Sequence, residues 1–543
     1  MKNILIYFTI FCLDLAANTL FAQLPSLQDK LSGKDRVEEI MEIVDAHYAE
    51  IASGKRIKTD EGEYKHWARW GLYMSGRTDA QGRLVDVDSF INKALKSYSH
   101  NQRNSYGNWI SRGPTAISGS NGSSVGIGRV DRVAFHPTDA NILYIGTPSG
   151  GLFKSVNGGS AWTALTDNIP STAISGIVVS HSNPNTVYIL TGDGDADNNG
   201  FTQKFKYWRG SKGVFVSYDA GSNWYPTGAF PVDTFTGYQL VQDPNNANIL
   251  IAATSQGLFR TTNGGDSWVE VLSGRTYEIK FRPGSSTYVY ATKWGKFYRS
   301  TNGGIDWAQI TNFDFPLQNQ RVALAVTNAS TSMVYLMSGW ANGGTFGGFY
   351  ISDDFGASFT RQSNTPNIVE SACDGSGGSN QSEYDLAIGV SHALVNRVVA
   401  AGITTWRSYT SGDTWINASA GRCSNSASTG YVHADVHDIE YNPLNGHVYL
   451  CSDGGLIKSV NHGIDWINLS DGIAASQVYH MTGALTDINH MVIGLQDNGC
   501  KSRNANTSVW EQIFGADGYD CIYNFGSSTN GILSANSSVY RFS

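Results

Sequence analysis

The sequence has few charged residues, few cysteines and no long apolar run beyond its first 23 residues. Charged side chains make up 15% of the 543 residues and no Lys/Arg cluster is present, so nucleic acid is not an expected partner. No later apolar stretch approaches the roughly 18 residues that a membrane span needs, so no span is predicted. A G-x-S-x-G elbow on an α/β pattern is also missing, which argues against a Ser-His-Asp hydrolase of that class.

The first 23 residues have the pattern of a signal peptide. Lys2 precedes an apolar stretch from Ile4 to Leu13, and the small residue Ala22 lies just before the expected cleavage point. This pattern predicts a secreted or cell-surface protein, in a compartment that permits disulfide bonds.

Cysteine is scarce, and one of the six cysteines lies in the predicted leader. The odd number that remains predicts at least one free thiol or an intermolecular bond. The loop positions of the others favour two disulfides, Cys373 with Cys423 and Cys500 with Cys521. Cys451 lies in an apolar strand and is expected to be a buried thiol. The cysteine spacings do not fit a zinc site.

A repeated phrase, Ser-x-Asn/Asp-x-Gly-x-x-Trp, is abundant instead, with seven copies that begin at Ser155 and end with the copy at Ser459. Its glycine recurs every 39 to 62 residues, an interval that suits a propeller blade of roughly 40 to 50 residues with loop insertions. The Asn or Asp can fold onto the backbone, the Gly tolerates positive φ, and the Trp begins the next strand. The structural residues expected in these turns are Asn157, Trp162, Asp219, Trp224, Asn263, Trp268, Asn302, Trp307, Asp354, Phe359, Trp415, Asn461 and Trp466.

Short β-branched and aromatic runs separate the copies and predict an all-β, multi-bladed β-propeller of about 8 to 10 blades over residues 109–543. The sequence ends at Ser543, where a new copy should begin, so the last blade is expected to be incomplete. Either the stretch around Trp109 supplies the missing strand or the sequence is a fragment of a longer protein, and we favour the second. Residues 24–108 differ, because helical spacing of apolar residues predicts a small helical region and linker there.

The repeated phrase resembles the Asp-box repeat of sialidases, sortilin-type receptors and inverting xyloglucanases. The surrounding phrases GRVDRVAFHP, LTGDGDAD, YVHADVHDIEYNP, SDGGLIKS and GLQDNG resemble those of secreted bacterial sortilin-like proteins, which are commonly exported by type IX secretion. The resemblance runs from about Trp109 to the end and implies a propeller. It does not choose between enzymes, receptors and assembly factors, because all of them use this fold.

Candidate functional residues are expected on the face opposite the repeated turns, where ligands usually bind to propellers. Asp131 is the residue that matches a catalytic Asp in a similar phrase of the xyloglucanases. An inverting mechanism needs two carboxyl groups about 6.5 to 9.5 Å apart, and His437 falls near the place of the second acid. The alternative is that Asp131 pairs with Arg129 and holds the end of the strand.

The segment HADVHD places His433, Asp435 and His437 at alternate positions. On a strand all three side chains would leave the same face. These residue types suit a metal site, a general acid and base, or a polar network at the mouth of the channel.

Asp193, Asp195 and Asp197 also alternate and resemble the opening of a calcium loop, although the sixth and twelfth positions depart from the EF-hand pattern. Calcium is therefore the one cofactor that the sequence suggests, with a solvated acidic turn as the alternative. Further carboxylates expected on the same rim are those of Asp453, Asp497 and Asp517.

Two functions remain at this point. In the first, a sortilin-like module binds a glycan or peptide ligand through residues such as Arg129, His433, Asp453, Asp497 and Asp517. In the second, a glycoside hydrolase cleaves a polysaccharide by an inverting mechanism through Asp131, Asp435 and His437. We favour binding on the sequence alone, because a single catalytic match is weak support for an enzyme.

Overall fold

A computed structural model describes residues 27–53, 64–76, 78–84, 111–118, 125–195, 211–232, 235–313, 321–339, 346–378, 381–424, 426–487, 489–504, 506–524, 526–527, 529–535 and 538–542. These residues form two compact units, a helical one before residue 108 and a β-sheet one after it. The predicted signal peptide, Trp109 and Asp197 lie outside the described residues. None of the described helices is long and apolar enough to span a membrane.

The helical unit confirms the prediction of a small helical region. Apolar positions at helical spacing, among them Ile40, Val44 and Trp70, are buried where the second and third helices pack together. The three helices among the described residues are α1 (Leu27–Leu31), α2 (Val37–Ala52) and α3 (Tyr64–Ser75).

The β-sheet unit begins with a short strand, β1 (Ile117–Ser118). Seven four-stranded antiparallel sheets follow, which we call blades 1 to 7, and each uses its four strands in chain order. The strands of blades 1 to 4 are β2–β5 (Arg132–Phe135, Leu143–Gly146, Leu152–Ser155, Thr163–Ala164), β6–β9 (Ile174–Val179, Val187–Thr191, Val214–Ser217, Tyr225–Pro226), β10–β13 (Gly237–Gln242, Leu250–Thr254, Gly257–Thr261, Val269–Ser273) and β14–β17 (Thr276–Phe281, Val289–Lys293, Lys296–Ser300, Ala308–Ile310). Those of blades 5 to 7 are β18–β21 (Val322–Val326, Val334–Ser338, Gly348–Ser352, Thr360–Ser363), β22–β25 (Ala387–Val390, Val398–Ala401, Thr405–Ser408, Ile416–Asn417) and β26–β29 (Val436–Tyr441, Val448–Ser452, Gly455–Ser459, Ile467–Asn468).

Two further sheets complete the described part of the unit, and they pack against each other. The short strand β1 joins the eighth sheet as a parallel edge strand beside the strand Trp510–Phe514. The N-terminal stretch therefore extends the eighth sheet, whereas the ninth sheet has three strands among the described residues. Their strands are β30–β33 (Val478–Gly483, Met491–Leu495, Gly499–Arg503, Trp510–Phe514) and β34–β36 (Gly518–Tyr523, Gly531–Ala535, Ser538–Phe542).

Blades 1 to 7 close a ring. The first strand of each blade lies against the first strand of the next, and β2 of blade 1 lies against β26 of blade 7. Across that junction Val133 N donates to Asp438 Oδ2 at 3.2 Å. The indole of Trp162 in blade 1 donates to Leu469 O, beside blade 7, at 2.8 Å. The nine sheets agree with the predicted number of about 8 to 10 blades, but seven of them form one ring.

The repeated phrase forms the turn between the third and fourth strands of each blade. In the copy of blade 4, Gly304 N donates to Ser300 Oγ at 2.9 Å, and Ser300 Oγ donates to Asn302 Oδ1 at 2.9 Å. The glycine has φ of +80°, which other residues adopt only with strain. The bond from the glycine N–H to the first Ser or Thr recurs in all seven copies. The hydrogen bonds predicted for this turn therefore shape the loop before the outer strand of each blade.

The cysteines follow the sequence prediction in part. Cys373 and Cys423 form a disulfide, and Cys451 is a buried thiol. The predicted bond between Cys500 and Cys521 is wrong, because both are free thiols. They lie together in one apolar cluster between the eighth and ninth sheets, where their side chains hydrogen-bond to each other instead of being covalently joined.

Candidate functional site

Charged side chains meet at one mouth of the ring's central channel. They come from positions just before or at the start of the first, innermost strand of a blade and from loops after the second strand. Both positions lie on the face opposite the repeated turns. The structure brings Arg129, Asp131, His437 and Asp453 together there with Asp193 and Asp195, and we call this set the mouth cluster.

Arg129 lies at the centre of the mouth cluster. Its Nε lies 2.6 Å from Asp131 Oδ1 and 3.7 Å from Asp453 Oδ1, and its Nη2 lies 3.0 Å from Asp193 Oδ1. The guanidinium stacks over the Tyr384 ring at 5.0 Å, and the side chain is 2% exposed. A charge buried this completely requires opposite charges around it, and the carboxylates supply them.

Asp195 is held by positive groups from three other blades. Its carboxylate lies 2.8 Å from Arg321 Nη1, 3.2 Å from Arg132 Nη1 and 3.3 Å from His437 Nδ1. Burial raises the pKa of Asp195, but the two arginines outweigh it and hold the pKa well below its ordinary value. Asp195 is therefore an ionised structural anchor.

The calcium prediction for Asp193 and Asp195 does not fit this arrangement. Both carboxylates bind guanidinium groups, so positive charge is already present where the cation was expected. Asp131, Asp195 and His437 each offer a ligand atom within 4.8 Å of the others, but the same arginines neutralise this trio as well. The residues present do not fit a resident metal ion.

His437 bridges two carboxylates, with Nε2 2.8 Å from Asp453 Oδ1 and Nδ1 3.3 Å from Asp195 Oδ2. Burial and the nearby charge of Arg129 disfavour its protonated form, but the hydrogen bonds to Asp195 and Asp453 outweigh both and raise the pKa of His437 to about 9. The imidazole is therefore positively charged at neutral pH, and both of its nitrogens are engaged.

The expectation that His433, Asp435 and His437 leave one face of a strand is wrong. The strand begins at Val436, and Asp435 has φ of +61°, so the chain turns between the two histidines. His433 lies with Nδ1 3.0 Å from Ala434 O and Nε2 3.1 Å from Asp497 O. Both ring nitrogens of His433 face backbone carbonyls and those of His437 face carboxylates, so the segment forms the polar network that was the alternative.

Asp131 and Asp435 are the two candidate catalytic carboxyls of the mouth. Burial raises the pKa of Asp131 to about 6 although Arg129 opposes the rise, and its side chain is 3% exposed. Asp435 is half-buried, and its Oδ1 accepts a hydrogen bond from Gln381 Nε2 at 3.1 Å. Burial and the neighbouring Asp453 raise the pKa of Asp435. Both acids therefore hold protons more tightly than exposed carboxyls do.

Asp497 and Asp517 lie in the loops of the eighth and ninth sheets, beside the mouth. Asp497 N donates to Asp517 Oδ1 at 2.9 Å, and the next residue, Asn498, donates from Nδ2 to Asp453 O at 2.9 Å. These bonds attach the loop of the eighth sheet to blade 7. Asp517 therefore holds the loop that carries Asp497, and the expected ligand-binding role of both aspartates stays a prediction.

Sequence reasoning missed Arg321, Tyr384 and Asp385. Tyr384 Oη donates to Asp453, with contacts of 3.0 and 2.9 Å to its two oxygens. Asp385 is fully buried near Asp435. All three lie just before the innermost strand of a blade, the same position as Asp131, and this shared position was the signal that could have identified them.

Comparison with known proteins identifies distant relatives. No family model matches the sequence. A xyloglucanase of Hypocrea jecorina (strain QM6a) is 29% identical over 163 residues, which cover 27% of this chain and 18% of that protein. Two solved structures share the fold: the GH74 enzyme of Niastella koreensis (18% identity, TM-score 0.56) and the GH74 xyloglucanase of Xanthomonas campestris (16% identity, TM-score 0.58). The alignments cover 79% of this chain and 66% and 67% of those chains.

Proposed function

We propose that this chain is a secreted, glycoside-hydrolase-like β-propeller that acts on a polysaccharide at the mouth of its central channel. The observation that carries the proposal is the presence of two carboxyls with raised pKa, Asp131 and Asp435, in one charged mouth. The distant similarity to a xyloglucanase supports a polysaccharide substrate and an extracellular location.

In an inverting hydrolysis one carboxylic acid protonates the leaving oxygen while a carboxylate activates water on the other side of the sugar. Asp435 is the better proton donor, because a negative neighbour and burial favour its protonated form. Asp131 is the better base, since the adjacent Arg129 stabilises its ionised form above pH of about 6. Arg129 and His437 would hold both acids in place without reacting.

A sortilin-like binding role without turnover is the second candidate. It is favoured by one specific observation: Asp131 is 3% exposed and pairs with Arg129 at 2.6 Å, as a purely structural ion pair would. In that case a glycan or peptide would bind over the same mouth and leave unchanged.

A polysaccharide panel that includes xyloglucan separates these two functions when binding and reducing-end release are measured separately on the full chain. Asp131→Asn and Asp435→Asn should lower reducing-end release by roughly 100-fold or more while binding is kept. Asp413→Asn, an exposed change in a repeated turn, is the matched control and should leave the rate unchanged. Release at wild-type rates in both variants contradicts the catalytic assignment, and binding by the wild type without any release establishes the second candidate.

A further inference from the structure

Two tyrosines of blade 2 form an exposed pair of rings on the side of the repeated turns. Tyr218 directly follows the third strand of the blade, and Tyr225 lies in its fourth strand. The two residues are 60% and 54% exposed, their ring centroids lie 6.3 Å apart and their ring planes are inclined by 33°. At that distance two nearly parallel rings are offset and not directly superposed. Both rings therefore present a surface to solvent.

The strand register explains why this pair stands at the surface. Tyr225 pairs with Val216, which pairs in turn with Tyr188, so the three side chains lie on the same face of the blade. Val216 and Tyr188 are buried in the apolar cluster that blade 2 shares with blade 3. Tyr225 is the outermost member of this row and remains uncovered.

The other copies of the repeated turn show that the turn itself does not need these rings. Of the seven copies, blade 2 alone has aromatic residues at both positions, the one after the first Ser or Thr and the one after the Trp or Phe. In blade 7 the same positions hold Val460 and Ile467, which are 51% and 47% exposed. The one other aromatic residue at either position, Tyr409 of blade 6, is half-buried, and the guanidinium of Arg397 lies 4.1 Å from its ring centroid. Tyr409 therefore packs within the fold, whereas the pair of blade 2 faces solvent.

The chemistry of the pair suits a chain of sugar rings. A tyrosine ring is rigid and amphipathic, so its face can cover the apolar C–H face of a pyranose while its hydroxyl reaches the polar edge of the sugar. Two adjacent rings extend this surface in one direction, which favours a chain over a single sugar. Asp219, the residue after Tyr218, is exposed and acidic, and its charge disfavours an acidic ligand such as nucleic acid.

We propose that Tyr218 and Tyr225 form a second binding site, separate from the mouth cluster, which holds a neutral polysaccharide by stacking on its sugar rings. The mouth lies before the innermost strands, whereas the pair lies at the opposite end of the blade and on its outer strand. A chain bound at the pair therefore leaves the mouth open. The choice of a polysaccharide as the ligand rests on the proposed function, whereas the exposed ring surface does not.

Native electrophoresis of the full chain in gels that contain a polysaccharide of the panel, xyloglucan first, tests the site by the loss of mobility. Tyr218→Ala with Tyr225→Ala should weaken binding by about 10-fold or more, because truncated aromatic side chains are typical of costly changes at binding surfaces. Tyr218→Trp with Tyr225→Trp keeps two ring faces and should keep the retardation. Val460→Ala with Ile467→Ala, at the same positions of blade 7, is the matched control and should migrate as the wild type does.

The variants are compared only where their melting temperatures equal that of the wild type, and the two single alanine variants replace the double one if it does not fold. Equal retardation of the folded alanine variant and the wild type overturns the proposal. A wild type that no polysaccharide of the panel retards overturns it as well.

Reducing-end release separates this site from the proposed function. The ratio of the rate on the polymer to the rate on a short soluble oligosaccharide should fall in the alanine variant and stay at the wild-type value in the blade 7 control. An unchanged ratio together with unchanged retardation overturns the second site and leaves the proposed function standing. Lost retardation in a protein that never releases reducing ends supports the second site and contradicts the proposed function, so the two failures are distinguishable.

Discussion

The positive charges of Arg129 and His437 stabilise the ionised form of the carboxylates that lie beside them in the mouth. The guanidinium lies among Asp131, Asp193 and Asp453, and the imidazolium bridges Asp453 to Asp195. Removing ions from water costs several kcal/mol per ion, so each positive group must be paired closely to remain charged. Among the described residues, the carboxyl oxygens of Asp385 have no hydrogen-bond partner, and burial raises the pKa of this acid well above its ordinary value although Arg321 opposes the rise.

The pH dependence of stability should report the charge of His437. Its pKa in the folded protein is raised to about 9, whereas the pKa of a histidine in an unfolded chain is about 6.5. The folded chain therefore holds a proton that the unfolded chain has lost between these values. The free energy of unfolding should fall by roughly 1.4 kcal/mol per pH unit across this window as the pH rises.

Denaturant unfolding at pH 6, 7, 8 and 9 measures this slope. His437→Gln should reduce this slope by the contribution of one proton, which is roughly 1.4 kcal/mol per pH unit, because the amide cannot titrate. His181→Gln, an exposed change on the face of the repeated turns, serves as the control and should keep the wild-type slope. Parallel curves for wild type and His437→Gln would show that the imidazole is not charged in the folded state.

The sequence could place Asp131, His437 and Asp453 on one face of the propeller, since each falls at the start of a first strand or at the end of a second strand, and these ends share a face. It could not show that Asp195 takes its charge partners from several blades. Arg132 contacts His437 O from 305 positions away, and nothing in the local pattern indicates which distant loops meet. Asp193 and Asp195 also illustrate the limit, because alternating aspartates have the same spacing whether they bind calcium or arginine.

The repeated turn is the element that the sequence predicted best. Its Ser or Thr oxygen, its Asn or Asp oxygen and its positive-φ glycine act within a few residues of each other, so the turn depends on local chemistry alone. The tryptophan acts over a longer range. Trp268 donates from Nε1 to Thr227 Oγ1 at 3.3 Å and packs on Phe230 with the ring centroids 4.8 Å apart, which joins blade 3 to blade 2.

Replacing this tryptophan should therefore weaken the contact between two blades. Trp268→Ala removes a buried aromatic side chain from the shared apolar cluster and should cost about 3 to 5 kcal/mol of unfolding free energy. Val269→Ala, at the adjacent position with a 63% exposed side chain, is the matched control and should change stability by about 0.5 kcal/mol or less. Thermal denaturation of both variants makes the comparison, and equal melting temperatures would mean that the tryptophan does not join the blades.

Ring closure is a property of the whole β-sheet unit. The number of blades in the ring therefore could not be counted from the repeats. Nine sheets follow one another in the described part of the unit, yet the twist between neighbouring blades brings the seventh back to the first. The eighth and ninth sheets then pack on each other outside that ring. Closure is also what assembles the mouth cluster, because Arg129 of blade 1 and Asp453 of blade 7 meet only where the two ends of the ring join.

Arg132 provides the test at this scale, since its guanidinium ties four blades together. Its Nη1 donates to His437 O of blade 7 and Asp195 Oδ2 of blade 2, both at 3.2 Å, and its Nη2 donates to Tyr238 O of blade 3 at 3.2 Å. Arg132→Met keeps much of the side chain's volume but leaves buried acceptors without a donor.

We expect Arg132→Met to lower the unfolding free energy by about 3 to 5 kcal/mol, the usual cost of breaking a buried ion pair by removing one partner. Arg422→Met, an exposed change in blade 6, should alter it by about 0.5 kcal/mol or less. Urea unfolding of the full chain measures both. If the two variants were equally stable, the ring would be held closed by apolar packing between blades 1 and 7 alone, and the buried charges of the mouth would then be retained for binding or chemistry instead of stability.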